Sequence, residues 1–225
     1  MKVLCTPNTE EVENYINKRI INDMKKILHI VPTMILYRRR RSFYINYLKK
    51  KRKVFIPDNA SDQEIDGVLK EHNIFLFEFN RFIRHIVQVN FSNRHVLSRR
   101  EASIILERVV KNNPKTNNYV WRLTISKIYD FFQTLTIAGI DIQKIRQMFS
   151  NEAWIDLLTI YEKYIEEINR LGFLDLAMAF RKAVELEDFS AYDEIYIDGA
   201  FLPIQPALHQ IIIRLKNISS NILFF

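Results

Sequence analysis

"YDEIYIDGAFLPIQPALHQIIIRL" (192–215) is the stretch on which the reading of this chain turns. Ile195, Tyr196 and Ile197 form an apolar β run that stops at Asp198, and Gly199 follows. Beyond Pro203 and Pro206 comes a segment rich in Ile and Leu, with the spacing of a helix over about 204–216. The unit is strand, turn, helix, with a carboxylate at the strand end. Such an aspartate either caps the turn or, with further oxygens, ligates a divalent cation. Gly199 stands beside it and supplies no ligand; a turn that needs a permissive backbone accounts for a glycine there.

Working outward, 1–5 is a short apolar run that ends at a Thr-Pro-Asn turn. Thr9 opens a helix with Glu11 and Glu13 in its first turns, where the helix dipole favours acids. ILHIV (27–31) is a β run stopped by Pro32, and a basic helix follows over about 34–50. KVFI (53–56) and IFLF (74–77) are strand candidates. Between them, Ser61 with Glu64 is a capping box for a helix reaching about residue 71, and Ser98 with Glu101 is a second one. From 79 to 187 no strand pattern stands out, and helices are predicted over 80–89, 99–111, 119–138, 141–149, 151–170 and 174–186. EIYID (194–198) and NILFF (221–225) return to the β pattern. Strands alternating with helices predict an α/β protein with a parallel sheet and right-handed crossovers. Residues 1–79 and 188–225 would build that sheet, and 80–187 would be a helical insertion. A chain stopping on Leu223-Phe224-Phe225, where a sheet strand leads onward, is expected to be an N-terminal piece of something longer.

The 225 residues suffice for one large domain or two small ones. With 48% apolar residues but only four glycines and six prolines, the composition favours long helices and short connections. A single cysteine, Cys5, excludes an internal disulfide and a cysteine metal cluster, and suits a reducing cytoplasm. No apolar run approaches the roughly 20 residues that span a bilayer. The polar, acidic start does not read as a signal peptide, so a cytoplasmic location is expected. The net charge of +7 hides an asymmetry: 18–53 carries 13 Lys/Arg against one acid, Asp23, while 152–198 holds twelve acids and four bases. So basic a block points to a polyanion, and nucleic acid comes first.

This organisation resembles the first motor domain of UvrD-like helicases, in which a RecA-like sheet is interrupted by a helical subdomain. "YEKYIEEINRLGFLDLAMAF" (161–180) is similar to the helix that precedes the magnesium strand in that family, with Tyr161, Tyr164 and Leu174-Asp175-Leu176 in place. The family's second acid is absent; Met178 stands near its position. A closer resemblance is to the helicase-like N-terminal half of AddB/RexB-type subunits of bacterial recombination nucleases. Their strand typically ends "YIDGF", against "YIDGA" (196–200) here; "ILHIVPT" (27–33) and "IFLFEFNRFIRHIV" (74–87) are similar to two further segments. The resemblance implies a RecA-like sheet with helices on both faces. It also implies a part in DNA recombination and repair, with single-stranded or duplex-end DNA and an AddA-like motor-nuclease subunit as partners.

A phosphate loop needs glycines whose amides close on phosphate, and a lysine. Its place after the first strand reads "CTPNTEEVENYI", with no glycine before Gly67 and no Gly-Lys pair anywhere. Glu10, Glu11 and Glu13 sit where phosphate would dock and would repel it. Asp198 and Gly199 then read as the remnant of a nucleotide–magnesium site. No ATP or magnesium is expected unless that site still works, and no catalytic residue is assigned.

The remaining candidate is "YRRRRSFYINYLKKKRK" (37–53). Arg38, Arg39, Arg40, Arg41, Lys49, Lys50, Lys51, Arg52 and Lys53 are the candidate DNA-binding residues, since Arg and Lys neutralise phosphates. In UvrD-like helicases the segment after the second strand faces single-stranded DNA. Tyr37, Tyr44 and Tyr47 interleave with the cations; they either stack on bases or, by the helical spacing of Tyr37, Tyr44 and Leu48, pack as core. The five histidines have no metal-ligand spacing, and His29, inside an apolar strand, reads as core, as do Trp121 and Trp154. The expected function is a non-catalytic helicase-like domain contacting DNA and a partner motor. A degenerate ATP-dependent motor and a scaffold whose basic face binds acidic protein are the alternatives.

Overall fold

A computed structural model describes residues 2–3, 9–20, 25–113, 123–148, 151–199, 206–215 and 221–225. Five strands form one sheet: β1 (Lys2–Val3), β2 (Ile27–Val31), β3 (Ile74–Glu78), β4 (Glu194–Ile197) and β5 (Asn221–Phe224). Their order is β1-β5-β4-β2-β3 and every pair is parallel. The protein is α/β with a parallel sheet, as the alternation of β and helical patterns predicts. The order is neither that of the dinucleotide-binding sheet nor that of the flavodoxin-like sheet, both of which keep the first strand inside. The chain divides into two compact units, Met1–His85 with Asp188–Ile204 and Ile213–Phe225, and Ile86–Glu187 with Gln205–Ile212.

The first unit contains the sheet with α1 (Thr9–Ile20), α2 (Met34–Tyr47) and α3 (Asp62–Glu71). One core gathers Val12 and Ile16 from α1, Tyr37, Tyr44 and Tyr47 from α2, and Leu69 from α3 against Ile27, Val31, Ile74, Leu76, Tyr196 and Leu223 of the sheet. Alternate sheet residues Leu28, Ile30, Ile195, Ile197, Ile222 and Phe224 are buried too. Burial of both faces is why these strands read as continuous apolar runs. The Ser61–Glu64 capping box forms at the start of α3.

One expectation fails in this unit, and one is met with a change of helix type. KVFI (53–56) is no strand: it joins no pairing of the sheet, and 53–56 runs as irregular chain. The basic helix, expected over about 34–50, runs as an α-helix only to Tyr47. It gives way at Leu48 to a π-turn, Leu48–Arg52, which ends on Lys53 in a left-handed conformation with φ 57. The Lys/Arg run therefore wraps round a widened turn and does not extend the stripe of α2.

Helices α5 (Arg99–Lys111), α6 (Ile125–Ala138), α7 (Ile142–Met148), α8 (Glu152–Arg170) and α9 (Leu176–Leu186) belong to the second unit; α4 (Phe79–Asn90) runs into it and α10 (Pro206–Leu215) runs out of it. Its core joins Leu106 and Val110 of α5, Ile128 and Phe132 of α6, and Ile160, Tyr164 and Ile168 of α8. The Ser98–Glu101 capping box starts α5. A single bridge, Val96 to Leu174, is the β pairing among the described residues here. Asp175, from the LDL segment, caps α9 through the Ala177 amide and accepts from Gln133 Nε2 and the Tyr164 hydroxyl, both at 2.6 Å. That places it as a structural group at 1% exposure.

Candidate functional site at the end of β4

In an open parallel sheet, ligands bind beyond the C-terminal strand ends, where neighbouring strands send their connections in opposite directions. β2 leads outward to β3 and β4 leads the other way to β5, so the crevice lies between β2 and β4. Asp198 sits at its mouth, its amide bonded to the Ile30 carbonyl at 3.0 Å, which prolongs the β2–β4 ladder by one residue. Gly199 has φ +73 and donates to the Phe225 carbonyl at 2.9 Å. The left-handed backbone accounts for the glycine: any residue with a Cβ is strained there.

The crevice is filled by the protein itself. His29 of β2 donates from Nε2 to Asp198 Oδ1 at 3.0 Å, and Arg40 of α2 donates from Nε to Asp198 Oδ2 at 2.7 Å. Arg40 reaches Glu13 Oε1 through Nη1 at 3.2 Å, and the Tyr44 hydroxyl lies 2.8 Å from His29 Nδ1. His29 and Tyr44 are fully buried, and Arg40 and Asp198 are 2% and 5% exposed. Burial on its own pushes the Asp198 carboxyl up; the neighbouring His29 and Arg40 outweigh it and hold the group below its usual range. Burial and the Asp198 charge push the Tyr44 phenol well up. Both carboxylate oxygens thus carry internal donors, whereas a magnesium site leaves oxygens open to a small octahedral ion. Among the described residues no group of three His, Cys, Asp or Glu is arranged to hold a metal.

The opposite end of β4 carries a second buried ion group. Glu194, at 0% exposure, takes Arg19 Nε at 2.9 and 3.0 Å, Arg19 Nη2 at 2.9 Å, Lys25 Nζ at 3.3 Å and the Tyr196 hydroxyl. Burial pushes its carboxyl up, and the Arg19 and Tyr196 hydrogen bonds overcome that and lower it. The sequence offered one signal for each group: a lone polar residue, His29 or Glu194, inside a run destined for burial must find a partner.

The basic block is divided by the fold. Arg40 is removed from the DNA-contact candidates because it is buried in the Asp198 group. Arg41 is half-buried, pairs with Asp62 at 2.6 Å and lies 5.6 Å over the Tyr37 ring. Lys49 pairs with Asp58 at 3.1 Å, Arg39 with Glu13 at 3.5 Å, and Arg52 lies over Tyr47. Arg38, Arg39, Lys50, Lys51 and Lys53 face solvent. The three tyrosines are core, at 1%, 0% and 6% exposure for Tyr37, Tyr44 and Tyr47. Arg81, outside the basic run, is exposed at the start of α4 and lies 5.2 Å over the Tyr37 ring. His85 stacks on Phe77 and His95 pairs with Glu101. Trp154, expected in the core, is 37% exposed and rests against Phe131, because its turn of α8 lies at the rim of the helical core. Cys5, Trp121 and the first part of the expected phosphate-loop position, 5–8, lie outside the described residues; its remainder, with Glu10, Glu11 and Glu13, lies on α1. Among the described residues no helix is long and apolar enough to cross a membrane. No protein-family model matches the chain, and no curated protein matches it.

Proposed function

We propose that this chain is a non-catalytic helicase-like domain, a RecA-like sheet with a helical insertion over 80–187, in a DNA recombination and repair helicase–nuclease of the AddB/RexB type. It contacts DNA through exposed members of the basic block and pairs with an AddA-like motor subunit. One observation carries the reading: the aspartate at the strand end, where a motor holds magnesium, is neutralised from within by Arg40 and His29. Gly199 with φ +73 supports it, since a second carboxylate there carries backbone strain. An internal guanidinium in place of the ion keeps the motor strand folded and dispenses with nucleotide.

Titration calorimetry with ATP and magnesium tests the non-catalytic half of the reading; no binding heat and no phosphate release are expected. Micromolar binding lost on Asp198→Ala sinks it. Fluorescence anisotropy with labelled oligonucleotides at low and high salt tests the DNA half. The ion pairs of Arg39, Arg41 and Lys49 with acids of this chain favour one second reading, a scaffold whose basic face meets acidic protein. Undetectable DNA binding at low salt selects it.

A further inference from the structure

With Tyr37, Tyr44 and Tyr47 in the core and Phe43 packed partly against it, the exposed aromatic ring just beyond the basic block is Phe55, 86% exposed. Burial alternates along the chain here: Lys51, Lys53 and Phe55 are exposed, Arg52 and Val54 are half-buried, and Ile56 is buried. The inward residues are anchored. Arg52 lies 6.0 Å over the Tyr47 ring, Val54 packs on the sheet core and its amide donates to the Leu48 carbonyl at 3.2 Å. The backbone is thus pinned on one side while the phenyl ring is held out on the other. Lys50, Lys51 and Lys53 make no ion pair among the described residues, in contrast to Lys49, which pairs with Asp58. A flat π-face exposed in alternation with Lys51 and Lys53, which make no ion pair among the described residues, fits an unpaired nucleobase flanked by phosphates. Bases inside a duplex already stack on each other and cannot offer that face.

We propose that Phe55 is a base-stacking residue for single-stranded nucleic acid, with Lys51 and Lys53 on the neighbouring phosphates, and that this contact makes the block prefer single strands to duplex. The proposal rests on the DNA-binding reading above and adds the form of the ligand and the residue that reads it.

The test is anisotropy of the 225-residue chain with fluorescein-labelled oligodeoxythymidine and with a blunt two-strand duplex, at low salt. Phe55→Ala is expected to weaken single-strand binding about tenfold and to leave duplex binding within about twofold. Phe55→Trp is expected to keep the affinity and to add tryptophan fluorescence that the oligonucleotide quenches. Because the side chain is exposed, circular dichroism of both variants should match the parent. Unchanged single-strand affinity in Phe55→Ala overturns the stacking proposal, and so does an equal loss on both ligands. The DNA reading survives either result if Lys51→Ser with Lys53→Ser still weakens binding. A parent chain that binds neither oligonucleotide overturns both. Binding of phosphatidylserine–phosphatidylcholine vesicles that Phe55→Ala abolishes, with oligonucleotide binding intact, also overturns the proposal and assigns the ring to a membrane surface.

Discussion

Asp198 decides the chemistry of the strand end because a buried carboxylate must be matched by charge or hydrogen bonds. Its match here is Arg40 and His29, so removing it takes the closer of two carboxylate partners from a buried guanidinium and leaves it Glu13. Asp198→Ala is expected to cost about 3–5 kcal/mol in urea unfolding, the usual penalty for breaking one side of a buried pair. Were Asp198 an unfilled cation ligand, its removal would leave stability level or raise it, so the sign of the change separates the two roles. The pH dependence follows from the same pair. The folded carboxyl is held below its usual value, so the unfolded chain binds the proton more readily. The stabilisation is complete above the ordinary aspartate value of about 4 and is lost as pH falls below it. Glu194, lowered by Arg19, adds in the same direction. Unfolding midpoints should therefore fall with acid below about pH 4, and less steeply in Asp198→Ala. Gly199→Glu, which places a second carboxylate after Asp198, is expected to give no ATP hydrolysis and to cost about 1–2 kcal/mol, because φ +73 is left-handed. A phosphate-release assay beside the same urea titration checks both expectations.

Among the elements, α2 and its π-turn show where charge counting misleads. Four consecutive arginines on a helix point in four directions, and burial sorts them: Arg38 and Arg39 outward, Arg41 half-buried, Arg40 inward. Arg38→Ser with Arg39→Ser should flatten the salt dependence of single-strand binding by roughly 0.7 in log K per log salt for each phosphate left without its cation, with stability unchanged. Arg40→Ser should do the opposite, lowering the urea midpoint and leaving the salt slope alone. Equal salt effects from both variants would show that the burial of Arg40 has no bearing on binding. Much of the element pattern was legible, because its signals are local: the Ser61–Glu64 and Ser98–Glu101 boxes, the apolar runs of β2, β3 and β4, and the glycine after Asp198. KVFI was misread because its backbone serves the π-turn: the Val54 amide closes on the Leu48 carbonyl, and the run does not pair with the outer edge of β3. The π-turn leaves no periodic trace, since it is one widened turn. The core of the site was illegible for a different reason. Asp198 and Arg40 stand 158 positions apart, and only the placing of β4 beside β2 brings them together.

At the scale of the whole molecule, the helical stretch carries the means of its own stability. Its core closes among α5, α6 and α8, with Leu97 leading in and Phe173 and Met178 packed against it. Asp175 ties α6 to α8 and caps α9, satisfying a buried carboxylate within the same stretch. The bridge from Val96 to Leu174 joins the entry of this stretch to its far end. What an excised 86–187 would forfeit within its unit includes the Gln210 side-chain hydrogen bond to the Ala138 carbonyl, which is worth about 0.5–1.5 kcal/mol. A chain of that size buries enough surface for a core to hold unaided. The peptide 86–187 is therefore expected to give a helical circular-dichroism spectrum and a single cooperative urea transition. Asp175→Ala within it should shift that transition to lower urea by removing the partner of two buried donors. A random-coil spectrum for the parent peptide would show that these helices need the rest of the chain in order to fold.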